Sequence, residues 1–109
     1  MNLKKLSLGL LLISGMIGQA FAVATDDNRS NTISKVAAST YSTYILLQTP
    51  LLDPLCLYGV LNLPDQNSQA GKMMYALVLS AYTQSLPLTR VYYDRDATTN
   101  SCTIAILNM

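Results

Sequence analysis

The sequence predicts an α+β domain, a small twisted β-barrel of about five strands with one helix between the third and fourth. Three observations carry this. Between Thr32 and Asn108, segments rich in β-branched and aromatic residues alternate with turn residues. One stretch, Ser68 to Gln84, instead repeats apolar residues at helical spacing. The resulting order, strands, then a helix, then strands, contains no internal repeat, and a curved sheet with a helix across it buries such elements compactly.

Met1 to Lys5 is a short cationic segment, Leu6 to Ile17 is apolar and uncharged, and Ala20-Phe21-Ala22 has the small-x-small form of a signal peptidase site. Residues 1–22 therefore read as a cleavable secretory signal peptide, with Ala20 and Ala22 at the cleavage site and Ala24 as an alternative end. The apolar run is shorter than the roughly 20 residues that span a bilayer, and no later stretch is longer. The expected product is a secreted or periplasmic protein without a membrane span. Residues 23–31 are polar and read as a mobile N-terminal segment. Residues 32–109 form a single domain.

Within that domain Thr32 to Ala38 and Tyr41 to Gln48 read as strands, and the prolines and aspartate of Thr49 to Pro54 turn the chain. Leu55 to Asn62 reads as a third strand, in which Gly59 marks a bulge or a close backbone approach. Pro64 to Asn67 is a turn, and Asn67 or Ser68 caps the helix that follows. Ala70, Met74, Leu77, Val78 and Ala81 make its inward stripe. A second stripe, Tyr75, Leu79 and Tyr82, leaves two readings open. These are either scattered surface residues or a contact with another subunit. Pro87 ends the helix. Leu88 to Asp94 and Cys102 to Asn108 are strands, joined by a hairpin loop over residues 95–101.

Composition excludes several functions. The chain has no histidine and no glutamate, so a Ser-His or Cys-His nucleophile pair cannot be assembled. Beyond residue 22, Lys35, Lys72, Arg29, Arg90 and Arg95 face a slightly larger set of aspartates. That near-neutral balance offers no basic face for nucleic acid. The two cysteines, Cys56 and Cys102, pair as a disulfide in an oxidising compartment, which removes thiolate chemistry and thiolate metal sites. Asp94-Arg95-Asp96 with Asn100 lacks the glycine and closing glutamate of a calcium loop. No catalytic residue, metal ligand or cofactor is expected. The positive feature is tyrosine, seven residues in all. Every aromatic ring beyond residue 22 therefore has a polar tip, as suits faces that stack on sugars or proteins.

The run Lys72 to Ala81, then Leu88-Thr89-Arg90-Val91-Tyr92-Tyr93, then Cys102 opening an isoleucine-rich last strand, resembles the B subunits of pertussis-like and subtilase-cytotoxin-like AB5 toxins. It is similar also to related small secreted proteobacterial proteins of unknown role. The resemblance covers about Leu55 to Leu107 and implies an OB-like barrel, a homo-oligomer such as a pentamer, and a host or cell-surface glycan, often sialylated, as ligand. A protein-interaction domain of the same fold with an exported protein partner is the alternative. The family's sugar-binding serine lies in its N-terminal part, where this chain offers Ser30 and Ser34, with Tyr41 and Tyr44 as neighbouring candidates.

Overall fold

The computed structural model describes residues 22–40 and 42–109. The expected signal peptide as far as Phe21, including Ala20, and the candidate Tyr41 lie outside the described residues. The strands are β1 (Ala22–Asp27), β2 (Asn31–Ala38), β3 (Thr43–Leu47), β4 (Leu61–Asn62), β5 (Pro87–Leu88), β6 (Arg90–Asp96) and β7 (Cys102–Asn108), and the helix α1 spans Gln69–Thr83.

All strands belong to one seven-stranded mixed sheet in the order β1-β6-β7-β4-β3-β2-β5. Every pairing is antiparallel except that of β4 with β7. Only Thr89 separates β5 from β6, so one continuous run of chain serves both ends of the order. β5 lies on β2, and β6 lies between β1 and β7. The β5–β2 contact is short, with Asn31 opposite Leu88 and Thr32 opposite Pro87, and the sheet is not closed. The α+β class and the single helix between β4 and β5 stand, in the form of an open mixed sheet.

The inward faces follow the two-residue period of a strand, and two bulges shift its phase. In β2, Ile33 sits opposite Leu47 and Lys35 opposite Leu46, so Ser34 is the extra residue. The inward set therefore passes from Asn31 and Ile33 to Val36. In β7, Tyr93 faces Ile104 and Tyr92 faces Ile106, leaving Ala105 as the extra residue. Inward positions accordingly pass from Cys102 and Ile104 to Leu107. Against this face pack Val78 and Ala81 of α1, with Met74 and Leu77 half-buried beside them. Ala70, expected in the same stripe, is exposed.

The helix ends match their sequence signals. The Ser68 hydroxyl accepts a hydrogen bond from the Gly71 N–H at 3.0 Å, an N-cap that satisfies an otherwise orphaned donor. Gly71 is required there for another reason. A Cβ at this position would meet the Asp65 carbonyl oxygen at 2.0 Å, so the turn before the helix can lie on it only because no side chain intervenes. At the far end Ser85 takes a left-handed φ of 55°, and the Leu86 N–H returns to the Ala81 carbonyl at 2.9 Å.

Two expectations are corrected. Residues 23–31, read as mobile, instead supply strand β1, paired with β6 from Ala22–Asp96 to Asp27–Val91. The strand has little apolar patterning of its own. Backbone pairing holds it, together with a two-pronged Arg90–Asp26 ion pair at 2.9 and 3.1 Å and the burial of Asp27 beneath Arg29. The third strand, read over Leu55 to Asn62, shrinks to Leu61–Asn62. Before it, Leu57–Gly59 forms a tight turn in which Tyr58 and Gly59 both take positive φ, 59° and 66°. No strand accommodates two successive left-handed residues.

Candidate functional site

That turn builds one wall of the most distinctive concavity among the described residues. Cys56 is joined to Cys102, with an S–S distance of 1.99 Å and a Cα–Cα distance of 5.5 Å. The next N–H, of Leu57, donates to the Asn100 carbonyl at 2.7 Å. These two links clamp the 56–60 segment to the loop between β6 and β7. Directly after these links the chain enters the left-handed turn, and Tyr58 projects with 86% of its surface exposed. A left-handed conformation costs a tyrosine roughly 1–2 kcal/mol relative to an ordinary one, and such strain in native structures gathers at ligand sites.

The resulting groove has a volume of about 490 Å³ and is lined by Ser39, Ser42, Tyr44, Leu57, Tyr58, Val60, Asn62 and Ser101. Sites for small molecules fall in the range of roughly 300–1,000 Å³. The register explains its position. Ala37, Tyr44, Asn62, Thr103 and Asp94 are successive partners across β2, β3, β4, β7 and β6. They form one row on the face of the sheet opposite the core, where Ile45 and Leu61 point. Ser39 and Ser42, which follow β2 and precede β3, and Ser101, which precedes β7, complete the lining.

Asn62 organises the floor. Its amide nitrogen donates to the Ser101 hydroxyl at 3.1 Å and to the Cys102 carbonyl at 3.0 Å, and its amide oxygen accepts from the Ser42 hydroxyl at 3.2 Å. A chain of neutral donors and acceptors thus crosses the groove between the Tyr44 and Tyr58 walls. A second, polar hollow of about 330 Å³ adjoins it, sharing Ser39 and Ser42 and continuing to Pro64, Asp65, Gln66 and Asn67. Here the Gln66 amide donates to the Thr43 hydroxyl.

Beneath the groove the disulfide is flanked by an ionic anchor. The Arg95 Nε lies 2.8 Å from the Asp53 carboxylate, and these side chains are only 12% and 8% exposed. Asp53 also accepts from the Leu55 N–H at 3.0 Å, while its own N–H donates to the Tyr93 hydroxyl at 3.0 Å. Arg95 bonds in turn to the Asn100 side chain at 2.9 Å. The hydrogen bond from Arg95 holds the Asp53 carboxyl below the usual carboxylate range, and burial pushes the Tyr93 phenol up. Asp53, Cys56 and Cys102 lie close enough together to be considered as metal ligands. Both sulfurs, however, are bonded to one another and the carboxylate is held by Arg95. The triplet is a structural clamp. The Asp94-Arg95-Asp96 segment likewise turns to structure, since Asp96 accepts from the Thr98 N–H at 2.7 Å and shapes the β6–β7 loop.

Of the sequence candidates for a sugar site, Tyr44 lines the groove. Ser34 is the β2 bulge residue, its hydroxyl donating to the Leu46 carbonyl at 3.2 Å. Ser30 sits in the β1–β2 turn, at the opposite end of β2 from Ser39, on the order of 25 Å away by strand rise. Tyr58, Asn62, Ser42 and Ser101 were not singled out by sequence. Only Gly59, a glycine inside an apparent strand, signalled that this segment leaves the sheet. On α1, Tyr75 and Tyr82 are exposed and Leu79 is half-buried. Among the described residues no helix is long and apolar enough to cross a membrane. Comparison with protein-family models, curated proteins and solved structures returns no match for this chain.

Proposed function

We propose that this chain is an exported, non-catalytic binding module that takes a host or cell-surface glycan in the Tyr44–Tyr58 groove. The observation that carries the reading is the chemistry of that groove. The exposed Tyr58 ring and the half-buried Tyr44 ring offer flat apolar faces to the C–H surface of a sugar, and the Ser42–Asn62–Ser101 chain offers hydroxyl and amide partners for its hydroxyls. The N-terminal cationic and apolar segments support export.

The connectivity supports an OB-like reading of the fold and, with it, kinship to AB5 toxin B subunits. Leaving β1 aside and counting β5 and β6 as one run, the order is three strands, a helix and two strands. The third strand is parallel to the last, and the fourth reaches back to the first through β5. OB domains bind oligosaccharides on the face of strands two and three and in the loops after strands one and four. The groove occupies the corresponding places here.

A glycan array probed with the oxidised protein beginning at Val23 tests this. The reading expects binding to at least one sugar class, lost in Asn62→Ala. A folded, disulfide-intact sample that binds nothing would overturn it. A second reading, a protein-interaction domain without a sugar site, draws on α1, whose outer face shows Met73 at 64% exposure beside Tyr75 and Tyr82. Light scattering separates the two. A closed ring such as a pentamer makes that face a subunit interface, and a complex with another exported protein favours the second reading.

A further inference from the structure

We propose that the groove selects an uncharged sugar, a neutral hexopyranoside unit, and discriminates against sialylated and other anionic glycans. The inference rests on the glycan reading above and narrows it. It also departs from the sialylated ligands that the toxin resemblance implies.

Charge decides the matter. Among the described residues lining the groove there is no Lys, Arg, Asp or Glu. Two carboxylates belong to its surroundings. Asp65 lines the adjoining hollow, and Asp94 ends the outer-face row that runs through Asn62 and Thr103. Each arginine beyond residue 22 is already paired with an aspartate, Arg29 with Asp27, Arg90 with Asp26 and Arg95 with Asp53. An anionic sugar seated here would give up water around its carboxylate with no cation in the lining to replace it.

One cation needs separate attention. Lys35 stands opposite Leu46 on β2 and so shares the outer face with Tyr44. It lies farther from the β2–β3 turn than Tyr44 does, while the groove extends from Tyr44 toward that turn. Lys35 is therefore outside the lining, and binding should not depend on it.

A neutral sugar fits what is present. The Asn62 amide is already oriented by three hydrogen bonds that use both of its N–H groups, so its Oδ1 can accept from a ligand hydroxyl on its second lone pair with no further ordering of the side chain. Tyr58 supplies a ring held outward by a backbone that the disulfide and the Leu57–Asn100 bond fix.

The test is calorimetric titration of the oxidised protein with paired probes, lactose and N-acetyllactosamine against their 3′- and 6′-sialylated forms, with methyl glucoside and methyl mannoside alongside. The expected result is binding of a neutral probe, with any sialylated counterpart weaker by roughly tenfold or more. Tyr58→Gly, which keeps the left-handed backbone, should abolish binding, and Lys35→Ala should change it less than about twofold. Preference for a sialylated probe, or loss of binding in Lys35→Ala, would overturn the charge inference while leaving the glycan reading intact. Absence of binding to every probe would overturn this inference, and the array would show whether the glycan reading falls with it.

Discussion

Removing the disulfide should cost this domain a large share of its stability. The bond joins residues separated by 46 positions. For a loop of that length the chain-entropy relation gives an entropy change near −13 to −14 cal/mol/K, or about 4 kcal/mol at 25 °C. Domains of this size are typically stable by roughly 5–15 kcal/mol, so the loss is a large fraction of the whole. The perturbation is the double variant Cys56→Ala, Cys102→Ala, which leaves no lone thiol. At a melting shift of roughly 4–8 °C per kcal/mol for small domains, the midpoint should fall by on the order of 20 °C. Thermal unfolding followed by circular dichroism, with and without reductant for the parent, measures it. The structure adds a second expectation. Because the bond clamps the 56–60 segment, Tyr58 should lose its fixed position even well below the melting midpoint. A melting shift under about 3 °C would refute the reasoning, since it would mean that the Leu57–Asn100 bond and the Asp53–Arg95 pair already restrain this loop in the unbridged chain.

Other predictions follow from the same region. The Asp53 carboxyl is held below its ordinary range chiefly by the Arg95 hydrogen bond, and Asp27 likewise by Arg29. The unfolded chain therefore binds protons first, and stability is complete above about pH 4, the ordinary aspartate value. It is lost as pH falls through the lower folded-state values, which urea unfolding between pH 7 and pH 2 would show. Arg95→Ala leaves the Asp53 carboxylate buried without its cation and should cost about 3 kcal/mol by the same assay. Tyr93→Phe orphans the Asp53 N–H and should cost about 1–2 kcal/mol in denaturant unfolding. Gly71→Ala drives a Cβ into the Asp65 carbonyl and should lower stability by about 2 kcal/mol or more. A neutral result would show that the 64–68 turn yields freely.

Helix α1 was legible because its signals are local: a capping serine, an apolar stripe at helical spacing and a proline beyond its end. β7 was equally legible, opening at Cys102 and closing at Asn108 as expected. β1 was not, since Val23 to Asp27 gains its order from β6, more than sixty residues away in sequence. The 55–60 segment misled for a related reason. Leu55, Leu57 and Val60 read as a strand by composition, but the disulfide and the Asn100 carbonyl impose a left-handed turn on them. The candidate site was legible only in part. Tyrosine enrichment pointed to a binding surface and named Tyr44. The meeting of Ser42, Asn62 and Ser101 depends on strand pairings that no short stretch of sequence encodes.

The place where a sugar touches the protein is the most direct test of the groove. A heteronuclear NMR titration of the oxidised, uniformly ¹⁵N-labelled protein with the best-binding glycan from the array would locate that contact. Binding in the groove should concentrate shifts at the backbone amides of Ser42, Tyr44, Tyr58 and Ser101 and at the Asn62 side-chain amide, with the outer face of α1 silent. Shifts centred on Met73, Tyr75 and Tyr82, or an unchanged spectrum at saturating sugar, would contradict it.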